Sequence, residues 1–291
     1  MTQNFNAYTF EKSKAHFGSL FQETAVAFLS FIFLLLLTKG NPSGFLLGVT
    51  FCIVSTSVMI LEAQRTSSKA NLSGADLSGI DLRTANLSGA NLSGVNLRET
   101  NLSGVDLSGA NLSGANLSGV DLSGVDLSGA NLVGASLREA NLIGANLSEG
   151  NLNRANLRRA NFNRTNLAKA YLSGTNLNEA NLNGANLSEA SLVGASLVEA
   201  NLNGANLVRA SLVRASLNWT NLLRANLREA NLSEASFVGA NLNEADLDLA
   251  IVELTIFGEN RGITPQQKNS LQARGAIFQD PPGSMINIAR R

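Results

Sequence analysis

An all-β solenoid, preceded by an α-helical hairpin of membrane-spanning character and closed by a short capping helix, is the fold class this sequence predicts. Three observations carry it. From Leu72 to Leu247 every fifth residue is Leu, except Phe162 and Phe237, which makes 36 consecutive units. A period of five fits neither the roughly 3.6 residues of a helical turn nor the alternation of a flat strand, so a chain turning a corner every five residues is needed to bring the leucines to one side. Two uncharged apolar runs lie ahead of the repeat, and a sequence with the marks of a helix start follows it.

Residues 1–23 read as a short amino-terminal segment, and residues 24–61 as a two-helix transmembrane hairpin. Thr24–Thr38 and Phe45–Leu61 are apolar runs of 15 and 17 residues, separated by Lys39-Gly40-Asn41-Pro42-Ser43-Gly44, a helix-stopping turn. As helices they would extend about 22 and 25 Å, a little short of a hydrocarbon core of about 30 Å. Lys12 and Lys14 precede the hairpin, Arg65 and Lys69 follow it, and only Lys39 lies in the turn. The positive-inside rule then predicts an integral, multi-pass protein with both termini and the solenoid in the cytoplasm. Gly44-x-x-x-Gly48 matches a close-packing helix motif and adds a homodimer to the expected partners. Residues 62–69 form a linker.

Within each unit the residue two before the Leu is small, mostly Ala, and the residue between them is Asn, Asp or Ser in every unit but that of Tyr171. In extended backbone the alternate Ala and Leu point one way and the Asn points the other. The last two positions, rich in Ser, Gly and Asn, are turn formers. Each unit is therefore a very short strand followed by a corner, and stacking of the outward Asn side chains adds hydrogen bonds. The last residue of each unit offers a test of coil length. At a spacing of 20, eight pairs are of opposite charge and one of like charge; at 15 the score is five to three, and at 25 it is six to none. Charge thus disfavours three units per coil and leaves four and five open.

With its Ala-(Asp/Asn)-Leu-X-X motif recurring through residues 70–249, the sequence resembles the pentapeptide-repeat family. That resemblance implies a right-handed quadrilateral β-helix over residues 70–257, with four units per coil and the Leu and small residues inward. The coils would number about nine and the rod would be about 43 Å long at a strand spacing of about 4.8 Å. Phe162 and Phe237 would then fall on different sides. Some members of the family mimic DNA and bind type II topoisomerases, which implies a strongly acidic rod.

Residues 258–291 read as a cap helix and tail. Val252 and Phe257 keep the five-residue phase as the repeat decays. Thr264-Pro265-Gln266-Gln267 then has the form of a capping box with Pro at the first helical position, and Gly275 suits a stop after a helix of about ten residues. Leu271, Ile277 and Phe278 are placed to cover the last coil's open edge. From Pro281 onward a loose tail is expected.

Little material is left for chemistry. The chain has one His, His16, and one Cys, Cys52, too few for a zinc site of the usual Cys/His type or an internal disulfide. Its glycines follow the five-residue beat, and the carboxylates of Asp121 and Asp126 recur with the repeat, so both read as surface. No cofactor and no enzymatic activity are expected. Arg154, Arg159, Arg164 and Lys169 occupy four successive corners, joined by Arg158. They read either as a basic belt suited to an anionic contact or, the reading preferred on charge, as cations partly neutralised by Glu139, Glu149, Glu179 and Glu189 of adjoining coils. Tyr171, and Trp219 with Arg209, Arg214 and Arg224 nearby, are exposed aromatics of the kind found at contact sites. Residues 70–250 hold 16 acidic and 12 basic residues, a net of −4, too weak for DNA mimicry and too mixed for nucleic acid as a partner. The expected function is a membrane-anchored, non-enzymatic scaffold presenting a rigid rod to an unknown protein partner. The alternatives are a DNA-mimic inhibitor of a DNA-processing enzyme and a channel or transport accessory component.

Overall fold

In the computed structural model, which describes residues 70–279, the residue before nearly every central Leu pairs in parallel with its counterpart 20 positions on, from Asn71↔Asn91 to Asn241↔Arg261. Units of five in coils of 20 give four sides, so the five-unit coil is excluded. A typical side shows how the stack is held. Asn151 donates its N–H to the Ala130 carbonyl of the coil before, at 2.9 Å, and its own carbonyl accepts from the Leu132 N–H, at 2.7 Å. Each strand is reduced to this one residue.

The corners close as four-residue turns. In one of them the Ala155 N–H donates to the Leu152 carbonyl at 2.9 Å, and the residue between, Arg154, sits at a φ of 59°. Positive φ at the second central position is the type II pattern, which glycine adopts freely. Among the described residues nineteen other non-glycine residues take the same conformation, all of them Glu, Arg, Lys, Leu or Trp. None is β-branched, as crowding at positive φ demands.

Leu and Ala point inward as the alternation predicts, and nearly every central Leu is fully buried. Phe162 and Phe237 lie on different sides, both fully enclosed. Where Thr takes the small position its hydroxyl finds a carbonyl: Thr165 Oγ1 donates to the Leu142 carbonyl at 2.7 Å. The outward Asn residues do two jobs. The Oδ1 of Asn131 accepts the Val133 N–H at 3.2 Å, and its Nδ2 donates to Asn111 Oδ1 one coil down, at 3.1 Å. That double role explains why Asn, rather than any polar residue, dominates the position.

Three elements close the carboxy-terminal end: β1 (Ile256–Gly258), α1 (Pro265–Ala273) and β2 (Ile277–Gln279). The capping box forms as expected. The Gln267 N–H donates to Thr264 Oγ1 and the Thr264 N–H to Gln267 Oε1, Pro265 opens the helix, and Gly275 follows it at a φ of 92°. β2 pairs in parallel with β1, Ile256 opposite Ile277. Phe237, Phe257 and Phe278 stack at centroid separations of 5.4 and 5.1 Å, and Leu271 is buried. Ile277 departs from expectation: the residue is 43% exposed, and its backbone covers the edge, its N–H donating to the Thr255 carbonyl at 2.8 Å.

The expected integral, multi-pass membrane placement is overturned. Among the described residues no helix is long and apolar enough to cross a membrane, α1 being nine residues long. The apolar stretch 24–61 behind that expectation, with the segment 1–23, the linker 62–69 and the tail from 280, lies outside the described residues.

Candidate interaction surface

Because the interior is filled by Leu and Ala, side-chain chemistry is confined to the corners, the outward ladders and the cap. Among the described residues no cluster of His, Cys, Asp or Glu is arranged to hold a metal ion. A shallow hollow between the last coil and α1 is lined by Asp246, Asp248, Gln267, Ser270 and Arg274 among others, without a nucleophile paired to a base.

The 20-residue coil does place Arg154, Arg159, Arg164 and Lys169 at the four corners of one turn of the rod. They do not act alike. Arg159 and Arg158 clamp Glu179: Arg159 Nε lies 2.6 Å from Oε2 and Arg158 Nε 2.9 Å from Oε1. The hydrogen bonds of Arg158 and then Arg159 hold the Glu179 carboxyl below the usual range, and Glu179 in turn raises Arg159. Arg159 also approaches Glu139, at 3.9 Å. This corner is therefore neutralised. Among the described residues Arg154, Arg164 and Lys169 form no ion pair. The stems of Arg154 and Arg164 instead lie over Gly174 and Gly184 of the next coil, where a β-carbon would meet their Cγ atoms at 3.8 and 3.6 Å.

Tyr171 joins two of these free cations. It is 54% exposed and stands between Asn151 and Ser191 in the ladder of one side. Lys169 occupies the corner entering that side. Arg154 reaches along the corner leaving it, beside Gly174. Tyr171 supplies no acceptor to its own loop, so Asn153 of the coil below accepts the Ser173 N–H at 2.8 Å. Val193, one coil on, adds exposed apolar surface to the same side. The belt thus resolves into one side carrying Lys169, Tyr171 and Arg154, while Arg164 stands at another corner.

Trp219 is elsewhere. It shares its corner with Glu199 before it and Gly239 and Glu259 after it, as the backbone bonds from Glu199 to Asn218, Trp219 to Val238 and Gly239 to Gly258 require. The three arginines expected beside it are at the other three corners, paired to the next coil: Arg209 to Glu229, Arg214 to Glu234 and Arg224 to Glu244, at 2.7, 2.8 and 2.8 Å. The neighbours that matter, Gly239 and the two glutamates, escaped sequence reasoning. A fixed offset of 20 residues would have found them.

Compared with known proteins, residues 68–104, 100–139, 140–178, 175–212 and 210–248 match the family described as pentapeptide repeats, in eight copies. No curated protein matches. Among solved structures the chain is similar to HetL, a pentapeptide repeat protein involved in heterocyst differentiation regulation in the cyanobacterium Nostoc sp. strain PCC 7120. The identity is 36%, over 68% of this chain and 95% of HetL, with a TM-score of 0.32. It is similar to a pentapeptide repeat protein of the Arabidopsis thaliana thylakoid lumen, at 24% identity over 36% of this chain and 74% of that one, TM-score 0.35. Trypsin-treated QnrB1, a plasmid-mediated fluoroquinolone resistance protein, is 19% identical over 70% of this chain and 94% of its own, TM-score 0.29.

Proposed function

The chain belongs to the pentapeptide-repeat family, and from its right-handed quadrilateral β-helix we propose that it is a non-enzymatic protein-interaction rod. The side bearing Lys169, Tyr171 and Arg154 is its docking surface. One observation carries the reading: an exposed aromatic ring stands between two cations that have no ion pair among the described residues, while of the other two corner cations of that coil Arg159 is neutralised by Glu179 and Arg164 stands on another side. An aromatic body flanked by Arg and Lys favours a protein partner with an acidic or phosphorylated segment, because the ring supplies rigid contact area and the cations supply charge. The opposing charges of Arg158, Arg159 and Glu179 fix the stack locally and add little to recognition.

Affinity capture with the full chain tests this. A reproducible partner that is retained by the Arg158→Ala chain and lost from the Tyr171→Ala/Lys169→Ala chain supports the docking side. Equal capture by both variants, with equal melting temperatures, removes it.

A further inference from the structure

We infer that the corner of Trp219 is a second recognition site, and that it takes the arginine or lysine of a basic segment of a protein partner. The inference rests on the proposed role as an interaction rod and assigns the partner chemistry of a different edge.

The geometry is specific. Trp219 is the chain's only Trp and is 56% exposed, at a φ of 61°. A bulky residue at positive φ is an outlier. Nothing in the turn requires it, since the same corner one coil later is glycine at a φ of 72°. That glycine determines where the ring goes. A β-carbon at Gly239 would overlap the indole at Cε3 and come within 2.6 Å of both Cδ2 and Cζ3. The indole therefore lies flat on bare backbone, with one face covered and the other turned to solvent.

Charge around the open face has one sign along this edge. Glu199 precedes Trp219 by one coil, and Glu259 follows it by two. Both are exposed at positive φ, and neither forms an ion pair among the described residues. The corner cations of these coils, Arg209, Arg214 and Arg224, are already engaged by Glu229, Glu234 and Glu244 at the other corners. A fixed indole face flanked by two uncommitted carboxylates recognises a cation: the ring quadrupole attracts it, and the carboxylates add charge pairing at either end. Arginine fits best, because its planar fork both stacks and pairs.

The single Trp makes its own probe. Hexaarginine titrated into the full-length chain at low salt is expected to change Trp219 emission saturably, with hexaserine causing no change. The apparent affinity should fall roughly three- to tenfold in Glu199→Gln/Glu259→Gln, as the loss of two exposed charge pairs implies, and by a similar factor in 0.5 M salt. Both variant and parent should melt alike by circular dichroism; if the double variant melts lower, Glu199→Gln alone gives the reading. No saturable change with hexaarginine, or one matched by hexaserine or unaltered in the glutamine variants, overturns the inference. Because capture through Tyr171 is scored on a different side of the rod, failure here leaves that proposal standing, and the reverse.

Discussion

Replacing Leu157 by Ala tests the inward-leucine architecture at its centre. Leu157 is fully buried, with Leu137 and Leu177 one coil away on either side, also fully buried. The tube holds one Leu and one small residue per side, and every coil is tied to its neighbours by backbone bonds, such as Leu157 N–H to the Asn176 carbonyl at 2.8 Å. Collapse around a missing isobutyl group is therefore limited, which places the cost within the usual Leu→Ala range, at about 3 kcal/mol. For a unit of this size that is about 6–12 °C in Tm. Leu249, by contrast, is a corner leucine with 68% exposure, and its replacement by Ala should stay within about 0.5 kcal/mol. Urea unfolding of the full chain, followed by far-ultraviolet circular dichroism and by Trp219 emission, reads both. Trp219 lies about three coils beyond Leu157, so a stack held by nearest-neighbour contacts loses both signals together. A loss below about 1 kcal/mol for Leu157→Ala, or equal losses at Leu157 and Leu249, would refute an interior built from the central leucines.

Two further outcomes follow from local detail. Gly150 occupies an inward position that is Ala in most units, at negative φ, and a β-carbon there would sit 3.0 Å from the Leu147 carbonyl oxygen and 3.6 Å from Leu152 Cδ1. The equivalent Ala residues tolerate the same turn, so Gly150→Ala should raise stability by about 0.5–1 kcal/mol in a thermal melt; a lower Tm would show that this turn is tighter than its neighbours. Acid should weaken the rod: Glu179 is held low by Arg158 and Arg159, Glu234 by Arg214, and Asp126 by the Ser128 N–H and hydroxyl. Each has a folded pKa below its unfolded value, so its stabilisation is complete above the ordinary carboxylate range and is lost as pH falls through the folded values. Tm should be flat from about pH 6 to 8 and fall below about pH 4, and a Tm rising on acidification would contradict these pairings.

The fold was legible because one signal repeats 36 times. A Leu every fifth residue, with Ala two before it, specifies an inward pair and a corner without knowledge of any contact, and the structure places both inside. Coil length was less legible. Of the eight opposite-charge pairs at a spacing of 20, five close to within 4.0 Å, namely those joining Glu139 to Arg159, Arg159 to Glu179, Arg209 to Glu229, Arg214 to Glu234 and Arg224 to Glu244. Those of Lys169 do not close among the described residues. The same charges score well at 25, since side chains at a corner reach in more than one direction. Backbone pairing settles the matter because it does not. The interaction residues were legible one by one but not as groups. Sequence proximity set Trp219 beside Arg214 and Arg224, whereas a square coil sends residues five apart to different corners and brings residues 20 apart together.

The corners also show where this rod departs from the least strained sequence for its fold. Between residues 74 and 134 nearly every corner is glycine; from Glu139 onward charged residues dominate. Each non-glycine residue at positive φ costs roughly 1 kcal/mol, and an exposed ion pair returns about 0–1 kcal/mol for two such residues. The paired corners, such as Arg214 with Glu234, therefore offset their strain only in part. Arg154, Arg164, Lys169, Glu199 and Trp219 have no ion pair among the described residues to offset theirs. Stability alone would set glycine at those five positions, as it does at Gly174, Gly184 and Gly239 beside them. A side chain held at positive φ, uncompensated within the rod and turned to solvent, is intelligible as one whose partner lies outside it.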